Sequence, residues 1–471
     1  MRLGRITPMM RHTLASKTAV LAGFIALVGA ITLFAFFTTS GVLLPLSAVV
    51  VGVVILSSII FIQKPTTLIY FVPLLLSVEY RVELGVFSFT LGEVSAVLVW
   101  IVALLRIWNN HRIFLKKIEI VLLLTIVITS LPSVFLENDT RHALSVYRDF
   151  ILPLIFFIGF LLLDLSRQQV VKLLRMFVVI AAASALLGIV QYKTGNYMWT
   201  MRPEDVIWQR FKTGFIRDST VGQLLGVNDT LPVGLSATTN NFASYLVIPT
   251  TLALALSLLP SRSHSENLLW KVSFVSLFVA LLFTFSRGSL FTFLVASLYL
   301  LWLRRRHSVS LITLLIVGCI GVLVIVLMLW GSALSWDQLG TLKGRGAMLK
   351  AGMELLKDHP EVLFTGGFTE EYLANYYQWQ LIHNLPFYAI LQFGLLATSS
   401  WLLLIGVELR YILSVIHSKD QEVKFLGLAL FGGLFTTVFI YAQTTSLIDS
   451  VHSSLWLFFW TGIGVYLYRF R

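Results

Sequence analysis

An arginine interrupts the apolar sequence at Ser286, Arg287 and Gly288, between two long hydrophobic runs. A guanidinium fork, a hydroxyl group and the free backbone N–H groups of a helix start all suit phosphate oxygens. A charge at the centre of a bilayer costs about 2.5–3.5 kcal/mol on insertion scales, so such charges usually have a function. The pattern therefore favours an anion-binding site. A snorkelling or turn-capping arginine is the alternative.

A second arginine, Arg345, lies near the start of a segment with helical periodicity. Apolar residues recur three, four and seven positions apart over 348–356, which predicts an amphipathic helix. The dipole at the start of such a helix also favours an anion. We expect the helix to end at His359, because a residue before proline avoids the helical region, and a turn to follow at residues 366–368. A membrane-surface helix with solvated cations is the alternative.

A histidine follows this segment, in the pair His383 and Asn384 at the start of another apolar run. Histidine exchanges protons near neutral pH and is therefore a candidate base or phosphate ligand, although a lone histidine is more often structural. Glu370 and Glu371 precede it and could orient or assist it. Asn240 precedes a further apolar run, where a helix N-cap is the plainer interpretation and a ligand contact is the alternative.

Metal and cofactor motifs are missing from the sequence. It has one cysteine, no Walker A motif, no HExxH motif and no spaced carboxylate pair of the kind that holds a divalent ion beside phosphates. We therefore predict no metal and no cofactor. Arginines would neutralise a diphosphate leaving group instead.

The composition predicts the kind of protein that must position these residues. Of 471 residues, 57% are hydrophobic and 12% are charged, whereas a soluble domain carries about 25% charged residues. This excludes a soluble multidomain enzyme, a disordered chain and a disulfide scaffold. We predict an all-α, polytopic bundle of about 12–14 transmembrane helices. The candidate spans are 18–38, 41–62, 66–79, 91–105, 118–136, 149–165, 173–192, 240–259, 268–285, 288–303, 309–330, 383–407, 425–443 and 452–468. Three of these spans are weak. The span 66–79 is short, and the two spans within 268–303 could form a broken hairpin or one long bent helix.

The net charge of +12 predicts the orientation of this bundle. With a cytoplasmic N-terminus, most of the 35 basic residues fall in short inner loops, as the positive-inside rule requires. Both termini are then cytoplasmic, and a nucleic-acid partner is not expected. The two longest loops, 193–239 and 331–382, face outward and are rich in aromatic residues, typical of sugar-stacking surfaces or of an interfacial aromatic belt. We divide the chain into an N-terminal bundle, 1–239, and a core, 240–471.

The order of these motifs resembles the O-antigen ligase / O-antigen polymerase superfamily, most closely over about 240–400. The residues that carry the resemblance are Ser286-Arg287-Gly288, Gly344-Arg345, Asp358-His359-Pro360, His383-Asn384 and Phe393-Gly394-Leu395-Leu396. The resemblance implies a GT-C type membrane glycosyltransferase with a large helical periplasmic loop, located in the bacterial inner membrane. Its members act without a metal and invert the anomeric centre.

The resemblance also implies the substrates and the site. The donor is a glycan on undecaprenyl diphosphate, and the acceptor is a sugar of lipid A–core in ligases or of a second lipid-linked repeat unit in polymerases. Arg287 and Arg345, with Ser286, match the diphosphate-binding positions, and His383 matches the histidine near the reacting centre. Asn240, Asn384, Glu370 and Glu371 are expected as further donor or acceptor contacts. Ligase and polymerase both remain open, and a lipid-linked oligosaccharide flippase is the alternative function.

Overall fold

The computed structural model describes twelve stretches of the chain. They are 65–79, 81–84, 87–110, 116–136, 140–195, 231–236, 238–259, 263–304, 350, 352–367, 385–439 and 451–471. The predicted spans 18–38, 41–62 and 309–330 lie outside these residues. So do Arg345, Glu370, Glu371, His383 and Asn384 of the predicted site.

Helices make up nearly all of the described first half. The first element is a 3-10 helix at Pro65–Phe71. It is followed by α1 (Val72–Ser77), β1 (Arg81–Leu84), β2 (Phe87–Thr90), α2 (Leu91–Asn110), α3 (Lys117–Ser130), α4 (Pro132–Leu136), α5 (Thr140–Leu161) and α6 (Arg167–Thr194). The two strands pair antiparallel, with Arg81 opposite Thr90. This short hairpin was not predicted, and it leaves the all-α class unchanged.

The second half adds the helices of the predicted core. They are α7 (Thr239–Leu258), α8 (His264–Phe283), α9 (Arg287–Arg304), α10 (Val362–Thr365), α11 (Leu385–Ser414), α12 (Gln421–Phe439) and α13 (Val451–Arg469). Residues 352–358 are also helical, and this helix ends before His359, as predicted. The segment 268–303 consists of two helices joined by a turn.

Local sequence explains most of the helix ends. The predicted span 118–136 divides after Leu131 because Pro132 cannot continue the backbone hydrogen bonding of α3. Ser166 caps α6 through the N–H of Gln169, and Gly195 ends the helix in the left-handed conformation. The predicted span 149–165 begins earlier, at Thr140, because helix α5 includes a polar stretch that hydropathy alone does not count as a span.

Five helical segments in the described part of the chain are long and apolar enough to cross a membrane, and the first of them combines α3 with most of α4. They are Lys117–Phe135, Arg167–Thr194, Thr239–Leu258, His264–Phe283 and Phe387–His417. Several carry large apolar side chains on the outside of the bundle, such as Val121 at 60% exposure and Ile128 at 65%. Such a surface suits lipid rather than water. The chain is thus an all-α, polytopic integral membrane protein, and the total of 12–14 helices remains a prediction.

One aromatic core joins helices from both predicted regions of the chain. Phe160 of α5 meets Phe459 of α13 edge to face, with ring centroids 5.5 Å apart. Phe177 of α6 contacts Trp460 of α13 at 4.5 Å. Close packing of this kind is what holds helices together in lipid, where the hydrophobic effect between them is weak. The division at residue 239 therefore remains a prediction about the sequence, while the packed core is shared.

The two ends of the bundle differ in charge. One end, here called the basic end, carries the Arg106 side chain on the carbonyls of Leu163 and Asp164. There too, the Lys116 ammonium lies 3.4 Å from the centre of the Tyr411 ring, and Arg167 pairs with Asp420. Arg106 lies near the end of α2, Lys116 precedes α3, and Arg167 begins α6. The predicted orientation places this end on the inner side. Helices α7 and α13 begin at the opposite end, here called the polar end.

Candidate functional site

Five side chains form the first cluster at the polar end. The amide of Asn241 donates to Glu79 Oε1 at 2.8 Å, and the Tyr245 hydroxyl donates to Ser77 Oγ at 2.7 Å. Glu79 follows α1, and its backbone N–H donates to the Leu235 carbonyl at 2.9 Å. His452, the second residue of α13, is 6% exposed. Together with Ser244, we call Glu79, Asn241, Tyr245 and His452 the Glu79 cluster.

The Glu79 cluster surrounds a very small cavity, of about 10 Å³, which Ser236 and Trp456 also line. That volume holds about one water molecule, so the cavity cannot take a sugar ring. Nδ1 of His452 and Nε1 of Trp456 are buried without a hydrogen-bond partner among the described residues. An imidazole and a carboxylate beside one water site are groups that can hold or pass a proton.

The second cluster consists of Glu93, Arg148 and Asp149. Arg148 Nη2 lies 2.8 Å from Asp149 Oδ1, and Arg148 Nε lies 3.6 Å from Glu93 Oε1. Glu93 Oε2 accepts from the N–H of Thr90 at 2.5 Å, while Thr90 Oγ1 accepts from the N–H of Glu93 at 3.3 Å, which fixes the start of α2. The Arg148 side chain is 37% exposed, more than either carboxylate. The two carboxylates hold the guanidinium in one orientation, and part of it stays exposed.

The two clusters are adjacent. Nδ1 of His452 lies 3.1 Å from the position that a Cβ atom on Gly92 would occupy, so the histidine packs against the start of α2 beside Glu93. Phe150, next to Asp149, stacks on Phe393 of α11 with ring centroids 3.9 Å apart. The polar end is therefore continuous from the Glu79 cluster to α11.

A glycine contact docks the segment 362–367 against a kink in α11. Gly394 has φ +83° and ψ +165°, so it interrupts the helix. Gly366 has φ +67°, and the N–H of Gly367 donates to the Gln392 carbonyl at 3.0 Å. A Cβ on Gly366 would lie 2.3 Å from the Gln392 oxygen, and one on Gly394 would lie 2.6 Å from the Phe364 oxygen. Only glycine allows these backbones to approach so closely.

Phe368, the third residue of the predicted turn, lies outside the described residues. Gly366 and Gly367 both have positive φ and end α10, and a small apolar core supports them. Leu355, Val362, Tyr388 and Leu391 bury one another between this segment and the first turns of α11. Hydrogen bonds from its own backbone N–H and from His359 hold the pKa of the exposed Glu361 carboxyl below its usual value. His359 and Glu361 are close in sequence and lie at the surface, so their contact does not form a site.

The turn before α9 contains the predicted Ser286 and Arg287. Arg287 is the first residue of α9, as the anion-site prediction requires. Ser286 Oγ donates to Ser289 Oγ at 3.1 Å, and the Ser286 N–H donates to Thr284 Oγ1 at 3.3 Å. Phe285 has φ +52°, a left-handed conformation that is rare for an aromatic residue. The turn is therefore tightly specified, and it directs the start of α9.

Asn240 occupies a different position from the predicted cap. Thr238 caps α7, since its Oγ1 accepts from the Asn241 N–H at 3.1 Å, and the helix begins at Thr239. Asn240 is exposed in the first turn of the helix. The neighbouring Asn241 makes the contact with Glu79. The N-cap interpretation of Asn240 was therefore wrong by two residues, because a threonine with extended backbone precedes it.

Sequence reasoning missed Glu79, Glu93, Arg148, Asn241 and His452. Arg148 and Asp149 border an apolar run, and an ion pair at such a border was a usable signal. The other four residues come together only through tertiary packing. Within the described residues, no group of three or more His, Cys, Asp or Glu side chains is arranged to hold a metal ion.

Comparison with known proteins identifies one segment of the chain. Residues 272–402 match the family described as O-antigen ligase. The match includes most of α8, all of α9, the docked segment 362–367 and the kink at Gly394. No curated protein matches the chain significantly.

Proposed function

We propose that the protein is a membrane glycosyltransferase, because residues 272–402 match the family described as O-antigen ligase. It moves a glycan from an undecaprenyl-diphosphate donor to an acceptor sugar, as a ligase or as a polysaccharide polymerase. The family match carries this proposal. It is supported by the matched helices, which hold both the Ser286–Arg287 turn and the Gly366–Gly394 contact.

The proposed reaction exchanges one bond for another at the anomeric carbon. The acceptor hydroxyl oxygen attacks from the face opposite the diphosphate, the new glycosidic bond forms, and the bond to the phosphate oxygen breaks with inversion. The electron pair leaves with the diphosphate, whose growing charge Arg287 and Arg345 stabilise without a metal. The acceptor proton goes to a base, for which His383 is the candidate. Hydrogen bonding to the phosphate is its alternative role.

A reconstituted assay tests this function. Purified protein in detergent is incubated with a lipid-linked glycan and an acceptor, with no membrane gradient. Formation of a covalent glycan product supports the enzyme. A flippase would move the lipid-linked glycan across proteoliposome membranes and form no product. In a deletion strain, free lipid-linked polymer indicates a ligase, whereas single attached repeats indicate a polymerase.

Arg148 provides the first prediction. We propose that its guanidinium binds a donor or acceptor anion at the polar end. Arg148→Gln is expected to lower kcat/KM by about 10–100-fold, since charge-assisted contacts contribute about 1.5–3 kcal/mol. Lys350→Gln, which removes an exposed cation paired with Glu354, is the matched control and is expected to retain activity.

A double variant separates binding from structure at Arg148. Removing Arg148 alone leaves two poorly exposed carboxylates without their cation, which is destabilising in itself. Combining Glu93→Gln with Arg148→Gln removes one of the two carboxylate charges and so relieves part of the repulsion between Glu93 and Asp149. If the double variant recovered wild-type kcat/KM, Arg148 would be structural and the proposed anion contact would be wrong.

The proposed orientation gives a labelling prediction. The protein is placed in the bacterial inner membrane, with both termini cytoplasmic and the polar end facing the periplasm. In a Cys319→Ser background, Asn240→Cys at the polar end should react with a membrane-impermeant maleimide in spheroplasts. Ser265→Cys, exposed in the first turn of α8 at the basic end, should react only after permeabilisation. The opposite pattern would contradict the orientation.

A further inference from the structure

A cavity of about 530 Å³ opens at the basic end, far from the candidate site. It lies along α6, between the starts of α8 and α12. Cavities of about 300–1,000 Å³ are the size that binds small ligands in proteins. From Lys172 to Gln191, near the polar end of α6, the helix rises by about 28 Å. The cavity therefore has no part in the glycan chemistry proposed above.

Three cations and three carboxylates meet at the mouth of the cavity. Arg167, Lys172 and Arg175 line it, and Glu422 is the single carboxylate among the lining residues. Glu422 accepts from Arg175 Nη2 at 2.6 Å and from Arg167 Nη2 at 3.3 Å, so it holds both guanidinium groups at the mouth. Asp420 and Glu266 pair with the same two arginines from outside the lining.

Lys172 is the cation least engaged with acids. Its ammonium lies 4.4 Å from the centre of the Tyr70 ring, and it has no carboxylate within ion-pair distance among the described residues. A cation over an aromatic face keeps its charge and its N–H donors. Lys172 is also exposed. It is therefore the group best placed to bind an anion that enters the cavity.

The wall of the cavity changes from polar to apolar along the same stripe of α6. Beyond Arg175 the lining continues with Met176, Val179 and Ile180, and Val179 is 40% exposed. From Lys172 to Ile180 the helix rises by about 12 Å. Trp270 of α8 forms the opposite side, with its ring 5.8 Å from the Arg175 guanidinium carbon. Tryptophan commonly marks the headgroup level of a membrane.

We propose that this cavity binds an anionic phospholipid. Its phosphate lies against Lys172 and the two arginines, and an acyl chain runs along Met176, Val179 and Ile180. A free anion would leave the apolar stripe uncovered, whereas an acyl chain would cover it. Lys172, which has no acid partner among the described residues, favours a headgroup with a net negative charge over a zwitterionic one. Basic pockets between helices near the cytoplasmic surface suit acidic lipids in general. The bound lipid would contact α6, α8 and α12 and stabilise their packing.

Native mass spectrometry of the full chain in detergent tests this proposal. Dioleoyl phosphatidylglycerol should bind at one site, and dioleoyl phosphatidylcholine, with the same acyl chains, should bind much more weakly. Lys172→Gln should raise the Kd for phosphatidylglycerol about fivefold, because a lysine near an anionic lipid contributes about 1 kcal/mol. Lys172→Arg should retain binding.

Two lysines serve as matched controls for Lys172→Gln. Lys193→Gln changes the other end of the same helix, and Lys271→Gln changes an exposed residue of α8 that does not line the cavity. Both should leave the Kd unchanged. Equal binding of the two phospholipids, or an unchanged Kd in Lys172→Gln, would overturn the proposal. Displacement of the lipid by millimolar inorganic phosphate would show a site for free anions and would overturn it as well.

Discussion

Arg287→Ala is expected to lower kcat/KM for glycan transfer by about 10²–10³-fold. A preorganised donor that stabilises developing charge contributes on that scale, and a diphosphate leaving group gains its charge in the transition state. Arg287 begins α9 in a tightly specified turn, where helix N–H groups add to the positive potential. Arg345→Ala, in the same proposed clamp, is expected to have an effect of similar size.

The matched control lies at the other end of the same helix. Arg304 is the last residue of α9, so Arg304→Ala removes an identical charge about one helix length away. It should retain wild-type kcat/KM. Arg287→Lys should recover part of the activity lost in Arg287→Ala, because an ammonium keeps the charge but cannot form the bidentate contact. Membrane abundance is measured for every variant. Full activity of Arg287→Ala at normal membrane abundance would contradict the proposed mechanism.

The fold was predictable where one physical property dominates. Long apolar runs determined the class and most of the helix positions, because a bilayer leaves the backbone few alternatives to helix. The end of the helix at His359 and the turn at Gly366 and Gly367 were predictable for a similar reason, since proline and glycine restrict or extend the backbone locally. In each case the cause lies within a few residues of the effect.

The site was harder to predict because its residues come from distant parts of the chain. Glu79 and Asn241 are 162 positions apart in sequence, yet their side chains are 2.8 Å apart. His452 reaches Gly92 only because α13 packs against α2. Apolar periodicity indicates which side of a helix is buried but not its neighbour. Arg148 was passed over because hydropathy placed the helix boundary after it, whereas α5 begins at Thr140.

Gly366→Ala is the second substitution with a large expected effect. The backbone of Gly366, with φ +67° and ψ −148°, lies in a region that is essentially restricted to glycine, where another residue costs about 1–3 kcal/mol. The new Cβ would also lie 2.3 Å from a backbone oxygen, that of Gln392, which cannot rotate away. The segment 362–367 must then leave the kink of α11. We expect kcat/KM to fall by at least about tenfold.

The reason for this loss is the position of the contact in the chain. Gly366 lies between Arg345 and His383 in the sequence, so we expect its docking to limit the positions that both residues can take. Gly394→Ala should act in the same way from the other side of the contact, since its Cβ would meet the Phe364 oxygen. Trypsin cleavage after Lys357 is expected to become faster in both variants, because the supporting core at Leu355 and Tyr388 is disturbed.

Gly406→Ala is the matched control for these two variants. Gly406 is in the same helix as Gly394, but nothing lies within 4 Å of a Cβ added there. Alanine in a helix interior is favoured over glycine by about 1 kcal/mol, so this variant should be as active and as protease-resistant as the wild type. If Gly366→Ala behaved like Gly406→Ala in both assays, the docked segment would have no role in placing the proposed catalytic residues. Arg345 and His383 would then have to be positioned by contacts elsewhere in the loop.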